Sequence, residues 1–139
     1  MIFPFFKNTR TKSPIILPKF WMNYAALFLK EEAVDSQSKF IVIDTETTGF
    51  DYEKDRILCI GAVLLEKSQI AVKDSFEMYL TQDHYNSDST PIHGILKEEK
   101  KEKTAEIEAL KSFLTYIGNA PIIAHHTMFD VNMINKALH

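Results

Sequence analysis

Hydrophobic positions along the chain fall into strand-like and helix-like patterns. Phe40-Ile-Val-Ile43 is continuous and β-branched, the pattern of a strand covered on both faces. Arg56 to Leu65 is a second such run, and Ile70, Val72, Phe76, Met78 and Leu80 alternate with polar neighbours in a third. Glu66-Lys-Ser-Gln69, between the second and third, is short enough for a hairpin turn, so these two strands are predicted to be antiparallel neighbours. Ile107, Leu110, Leu114 and Ile117 share a helical stripe, with Thr104 placed to cap it and Gly118 to end it. Ile122-Ile-Ala124 after Pro121 predicts a short buried strand, and Thr127 opens a last helix with Phe129, Met133 and Ala137 on one face. The order β-β-β-α-β-α predicts an α/β fold, a mixed sheet with helices packed on it.

The flanking segments are less regular. Residues 1–19 lack a period and hold three of the five prolines, which reads as an extended leader. Trp21, Tyr24, Ala25 and Phe28 predict a short amphipathic helix ending near Lys30 that packs on the following domain, and residues 31–38 read as a polar linker. The expected division is therefore a basic leader over 1–38 and a folded domain over 39–139. Residues 81–103 are polar and irregular and end in a mixed charge run, the pattern of a solvated face.

Totals narrow the class further. At 139 residues, 45% apolar and 25% charged, the chain suits one globular core and excludes a disordered tail. Cys59 cannot form an internal disulfide and sits in an apolar run, as an inert buried thiol would in a reducing compartment. The apolar start precedes its positive charges, the reverse of a secretory signal, and the stretch from Ile15 to Leu29 is too short for a membrane span. A cytoplasmic location without a membrane is expected. The net charge of −3 hides an asymmetry, because five of the 16 basic residues and none of the 19 acids lie in residues 1–30. Such an arm suits an anionic surface, though spread charges of this kind are more often simply solvated.

Candidate chemistry begins where the first strand ends. Asp44 and Glu46 stand two apart, so an extended chain projects both to one side at the carboxyl end of a strand, where open α/β sheets place ligands. Paired acids there are costly to desolvate unless a hard divalent cation sits between them. An isolated Asp-x-Glu would more simply be an exposed turn. Asp130 likewise has a plain reading, as the acid in the first turn of a helix capped by Thr127.

Longer stretches shift the balance. Phe40-Ile-Val-Ile-Asp-Thr-Glu-Thr-Thr-Gly-Phe-Asp51 closely resembles the first motif of the DnaQ-like (DEDD) 3′–5′ exonucleases, the family of the proofreading epsilon subunit of bacterial DNA polymerase III. Ala120-Pro-Ile-Ile-Ala-His-His-Thr-Met-Phe-Asp-Val-Asn-Met-Ile134 resembles its second motif, and Pro91-Ile-His-Gly-Ile95 resembles a loop that the family carries between them. The resemblance implies a ribonuclease H-like mixed sheet and hydrolysis of phosphodiester bonds at nucleic-acid 3′ ends. It also implies two bound Mg²⁺ or Mn²⁺ ions, with Asp44 shared by both, Glu46 completing one and Asp130 serving the other. Thr47, Thr48, Gly49 and Phe50 resemble the family's platform for the terminal base, although Phe50 reads equally well as a core residue, and His93 is a weaker contact candidate. Expected partners are a single-stranded DNA or RNA 3′ end and a DNA polymerase subunit. The family's third motif, a histidine followed after four residues by an aspartate, has no counterpart after Asp130, so the exonuclease domain is expected to be C-terminally incomplete and short of its general base. The competing expectation is a non-catalytic nucleic-acid-binding or polymerase-associated module of the same fold.

Overall fold

The computed structural model describes residues 18–29, 39–83, 90–95 and 101–139. The elements are α1 (Lys19–Ala26), β1 (Lys39–Thr47), β2 (Ile57–Glu66), β3 (Gln69–Leu80), α2 (Thr90–His93), β4 (Lys103–Thr104), α3 (Glu106–Ile117), β5 (Ile122–Ile123) and α4 (Thr127–Ala137). The strands form one sheet in the order β4-β3-β2-β1-β5. β1 and β3 flank β2 antiparallel, while β5 joins β1 and β4 joins β3 in parallel. The mixed α/β sheet expected from the element order is thus the observed one. The leader over residues 1–17 and the linker over 31–38 lie outside the described residues.

One face of the sheet carries the main core. Ile41 and Ile43 of β1, Ile57, Ile60 and Ala62 of β2 and Leu80 of β3 pack against α3 and α4. From α3 come Ala109, Leu110, Phe113, Leu114 and Ile117, and from α4 Met133 and Ile134. Trp21 and Tyr24 of α1 enter the same cluster, as their helical spacing predicts. Burial of these chains is the dominant favourable contribution, worth roughly 25 cal/mol per Å² removed from water.

Several local readings are corrected. β1 is covered on one face only: Ile41, Ile43, Thr45 and Thr47 are buried, while Asp44 on the other face is exposed. The continuous apolar run reflects half-burial of Phe40 and Val42 rather than a second core layer. β5 is a strand of the sheet's edge and leaves Ile123 exposed. β2 is the middle strand, and its first four residues, Ile57 to Ile60, are all buried.

In β3 the predicted stripe breaks. Phe76, Met78 and Leu80 pack on the core, whereas Ile70 and Val72 are 61% and 72% exposed. The cause is an irregularity in the β2–β3 ladder, where Ala62 pairs with Phe76 but Leu64 with Ala71. Extra residues in one strand shift the pleat by an odd step, and side chains beyond it change face. α3 starts later than predicted, because Thr104 belongs to β4 and Ala105 precedes the helix; Ile107 is exposed, and Phe113 and Ala109 complete the stripe. β4 and α2 were not legible, since a two-residue backbone pairing and a single helical turn need no apolar pattern.

The β2–β3 hairpin closes on Lys67 and Ser68, with φ of 50° and 62°. A two-residue turn with both central residues left-handed matches the twist of its strands, but only Asn and Gly adopt it cheaply. Replacing the pair by Asn-Gly should raise unfolding stability by about 1 kcal/mol in urea titrations. A loss of stability would show that the two side chains are held by contacts that outweigh the strain.

Candidate active site

β1 and α4 build the site. Asp130 lies in the first turn of α4, is 4% exposed, and points at β1. Its Oδ1 accepts hydrogen bonds from the Thr45 backbone N–H at 3.1 Å and from the Thr45 hydroxyl at 2.7 Å. α4 begins at Thr127 after His126, and the Thr127 hydroxyl donates to the Ala124 carbonyl at 3.0 Å. The predicted capping role of Thr127 is therefore not taken up.

Burial pushes the Asp130 carboxyl above the ordinary carboxylate range; the Thr45 hydroxyl opposes that rise, and the negative charge of Asp44 adds to it. The charge of Asp44 is thus felt at Asp130. The pleat separates them in direction. Thr45 faces α4, so Asp44 and the half-buried Glu46 project from the opposite face of β1. Among the described residues no group of three His, Cys, Asp or Glu side chains stands close enough to hold a metal ion. The donor chemistry nonetheless suits a hard divalent cation. All three groups are carboxylates, and a cation would offset both the burial of Asp130 and the charge of Asp44.

The turn after β1 is fixed from within. Thr48 is fully buried and donates from its hydroxyl to Asp55 Oδ1 at 2.8 Å, while Asp55 Oδ2 accepts from the Asp51 N–H at 2.9 Å. The Thr47 hydroxyl donates to the Gly49 carbonyl at 2.6 Å. A Cβ at Gly49 would meet the Asp55 carboxyl at 2.5 to 2.8 Å, which explains why a glycine stands there. The hydroxyls of Thr47 and Thr48 thus serve the turn, leaving its outer surface to Phe50. That ring is 78% exposed, with its centroid 6.0 Å from that of Phe129, and His126 stacks on Phe129 at 6.2 Å. The core reading of Phe50 is overturned, and an exposed ring stands at the head of α4. His93 is the last residue of α2, and its side chain lies outside the described residues.

Two residues escaped the sequence reading. Thr45 stands between the two acids of interest and carried no signal, because only its fold partner reveals its role. Asp55 sits in the polar run Asp51-Tyr-Glu-Lys-Asp55, where any acid could be a solvated loop residue.

Residues 41–139 match a family model described as Exonuclease. The DNA polymerase III subunit epsilon of Buchnera aphidicola subsp. Schizaphis graminum is 33% identical over 109 residues, covering 74% of this chain and 46% of that protein. The PolC-type DNA polymerase III of Clostridium perfringens is 33% identical over 109 residues, covering 78% of this chain and 7% of that protein. The chain thus spans less than half the length of either relative. Among solved structures, cell-death related nuclease 4 overlays with a TM-score of 0.53 at 13% identity, covering 63% of this chain and 34% of that one, a likeness of fold.

The Asp130 environment has a measurable consequence. Its folded pKa lies above the unfolded value of about 4, so its contribution to stability is full below that value and lost as pH rises through the folded pKa. Ionising the buried group as pH rises therefore costs stability. Asp130→Asn keeps an oxygen acceptor for Thr45 without the charge. In chelator-treated buffer it should melt higher than the wild type at pH 7, with the advantage shrinking towards pH 4. An equal or lower melting temperature at pH 7 would contradict the buried-charge account.

Proposed function

Because the chain belongs to the exonuclease family, we propose that it is a metal-dependent 3′–5′ exonuclease domain that removes nucleotides from nucleic-acid 3′ ends. The observation that carries the reading is the buried Asp130 carboxylate, brought from α4 onto Thr45 between Asp44 and Glu46. A chain of ordinary structural design gains little from burying an acid beside a second acid. A site that binds a cation has a use for both.

In this reading Asp44, Glu46 and Asp130 hold Mg²⁺ or Mn²⁺, two ions in the complete family site. Bound there, the metal supplies an activated water and charge stabilisation for phosphodiester hydrolysis. Thr45 fixes the direction of Asp130, so that this carboxylate need not be ordered when substrate arrives. Phe50, backed by Phe129, offers a ring face on which the terminal base stacks, an interaction that tolerates any sequence. The hydrogen bonds of Thr48 and Asp51 to Asp55 hold the turn that carries Phe50.

The relatives named above are DNA polymerase III subunits. By extension, we take the partner to be a DNA polymerase and the role to be proofreading, in the cytoplasm. Among the described residues no helix is long and apolar enough to cross a membrane.

The test is a time course on a 5′-labelled single strand with Mn²⁺ or Mg²⁺, with a 3′-phosphate-blocked strand as control. Shortening of the free 3′ end is expected to be far faster in a form extended through a His-x-x-x-x-Asp segment than in the 139-residue chain, and in the extended form Asp44→Ala should slow it by roughly 10³-fold, since members of one catalytic unit fail together. Shortening that persists in Asp44→Ala would place the chemistry elsewhere. Binding of the strand without shortening would instead identify a non-catalytic module.

A further inference from the structure

The face of the sheet turned away from the main core carries a second, smaller apolar cluster of Leu58, Cys59 and Ile95, with Tyr79 packed against it. Strand register organises that face into transverse rows. Glu46 of β1 pairs with Cys59 of β2, and Cys59 pairs with Tyr79 of β3. In the next row Asp44 pairs with Gly61, and Gly61 with Glu77. Gly61 contributes no side chain, and a Cβ there would meet nothing nearer than the Asp44 carbonyl at 3.8 Å. Between Asp44 and Glu77 this row therefore carries no side chain on β2. At about 4.8 Å per strand step, Tyr79 stands roughly 10 Å from Glu46.

The far end of this row is positively charged. Lys101, which is exposed, places its Nζ 2.6 Å from the Tyr79 hydroxyl and 4.1 Å from the ring centroid. The Tyr79 hydroxyl in turn donates to Glu77 Oε1 at 3.1 Å. The ring face and hydroxyl together hold the ammonium at one place. The buried thiol of Cys59 registers both ends of the row. Burial pushes it up to about 11, Glu77 and Glu46 add to the rise, and Tyr79 and Lys101 oppose it. Along this row Glu46 of β1 stands on one side of Cys59, and Tyr79 with Lys101 above it on the other.

We propose that Lys101, held over Tyr79, binds a backbone phosphate of a single-stranded nucleic acid whose 3′ end lies at Asp44 and Glu46. The strand then crosses β2 over Gly61, with its terminal nucleotide on the Phe50 side. This inference rests on the nuclease reading and adds a path for the rest of the strand. It also answers a difficulty of charge. Asp44, Glu46 and Glu77 repel phosphates, so a strand approaching this face needs a pre-positioned cation beyond them. Lys101 acts here as a positioning residue with no part in bond cleavage.

The test compares the wild-type chain with Lys101→Gln and Lys101→Arg, using fluorescence anisotropy of a labelled oligothymidylate in Ca²⁺ over a series of salt concentrations. Thymidine 5′-monophosphate serves as a ligand too short to reach from Glu46 to Lys101. Lys101→Gln should weaken oligothymidylate binding roughly fivefold and flatten the salt slope by about 0.7, the share of one phosphate on a single strand. Lys101→Arg should keep the slope, and all three chains should bind the mononucleotide alike. Unchanged affinity and slope in Lys101→Gln overturn the proposal, as does an equal loss for the mononucleotide or a wild-type chain that binds no strand. Failure of the nuclease reading is separate, since it appears as absent or Asp44-independent trimming by the extended form.

Discussion

Thr45 donates two hydrogen bonds to one oxygen of Asp130 across 85 residues of chain, and this contact joins the end of the first strand to the start of the last helix. Both partners are buried, so leaving either unsatisfied would cost about 1–3 kcal/mol, and more for the charged member. The contact fixes where α4 meets β1, and with it the approach of Phe129 to Phe50 and of Met133 and Ile134 to the core. It also sets the one strongly unfavourable feature of the site, an acid kept from water beside Asp44. The fold tolerates that cost because the apolar faces of α3, α4 and the sheet meet around it.

A division of labour follows from the pleat of β1. Its inward residues, Ile41, Ile43, Thr45 and Thr47, pack or hydrogen-bond within the molecule, while Asp44 and Glu46 lean to the other face. A single strand end therefore serves both as structural anchor and as carrier of candidate chemistry. The turn that follows repeats the arrangement on a smaller scale, with Thr48 and Asp55 closed inside and Phe50 outside.

Much of this was legible in the sequence, for reasons that differ by element. The hairpin and α3 were visible because periodicity and the shortness of a connection are local properties. Three acids and their flanking residues stood out because two long stretches resembled one family's motifs in the right order. What stayed hidden depends on contacts distant in sequence. The face change within β3 arises from a ladder irregularity that alternation cannot foresee, and so Ile70 and Val72 were misplaced. Half-coverage of β1 depends on what packs against it, which an apolar run does not specify. Thr45 and Asp55 looked like ordinary polar residues until the fold supplied their partners.

The central claim is that the end of β1 and the head of α4 form one cation-binding site. Two-dimensional ¹H–¹⁵N NMR of the chain titrated with substoichiometric Mn²⁺ addresses it directly, since a paramagnetic ion broadens only the amides near it. Broadening should appear first at residues 44–46 and 129–131 and disappear in Asp44→Ala. Uniform spectra at millimolar Mn²⁺, or broadening centred on another acidic stretch such as residues 106–108, would contradict the account.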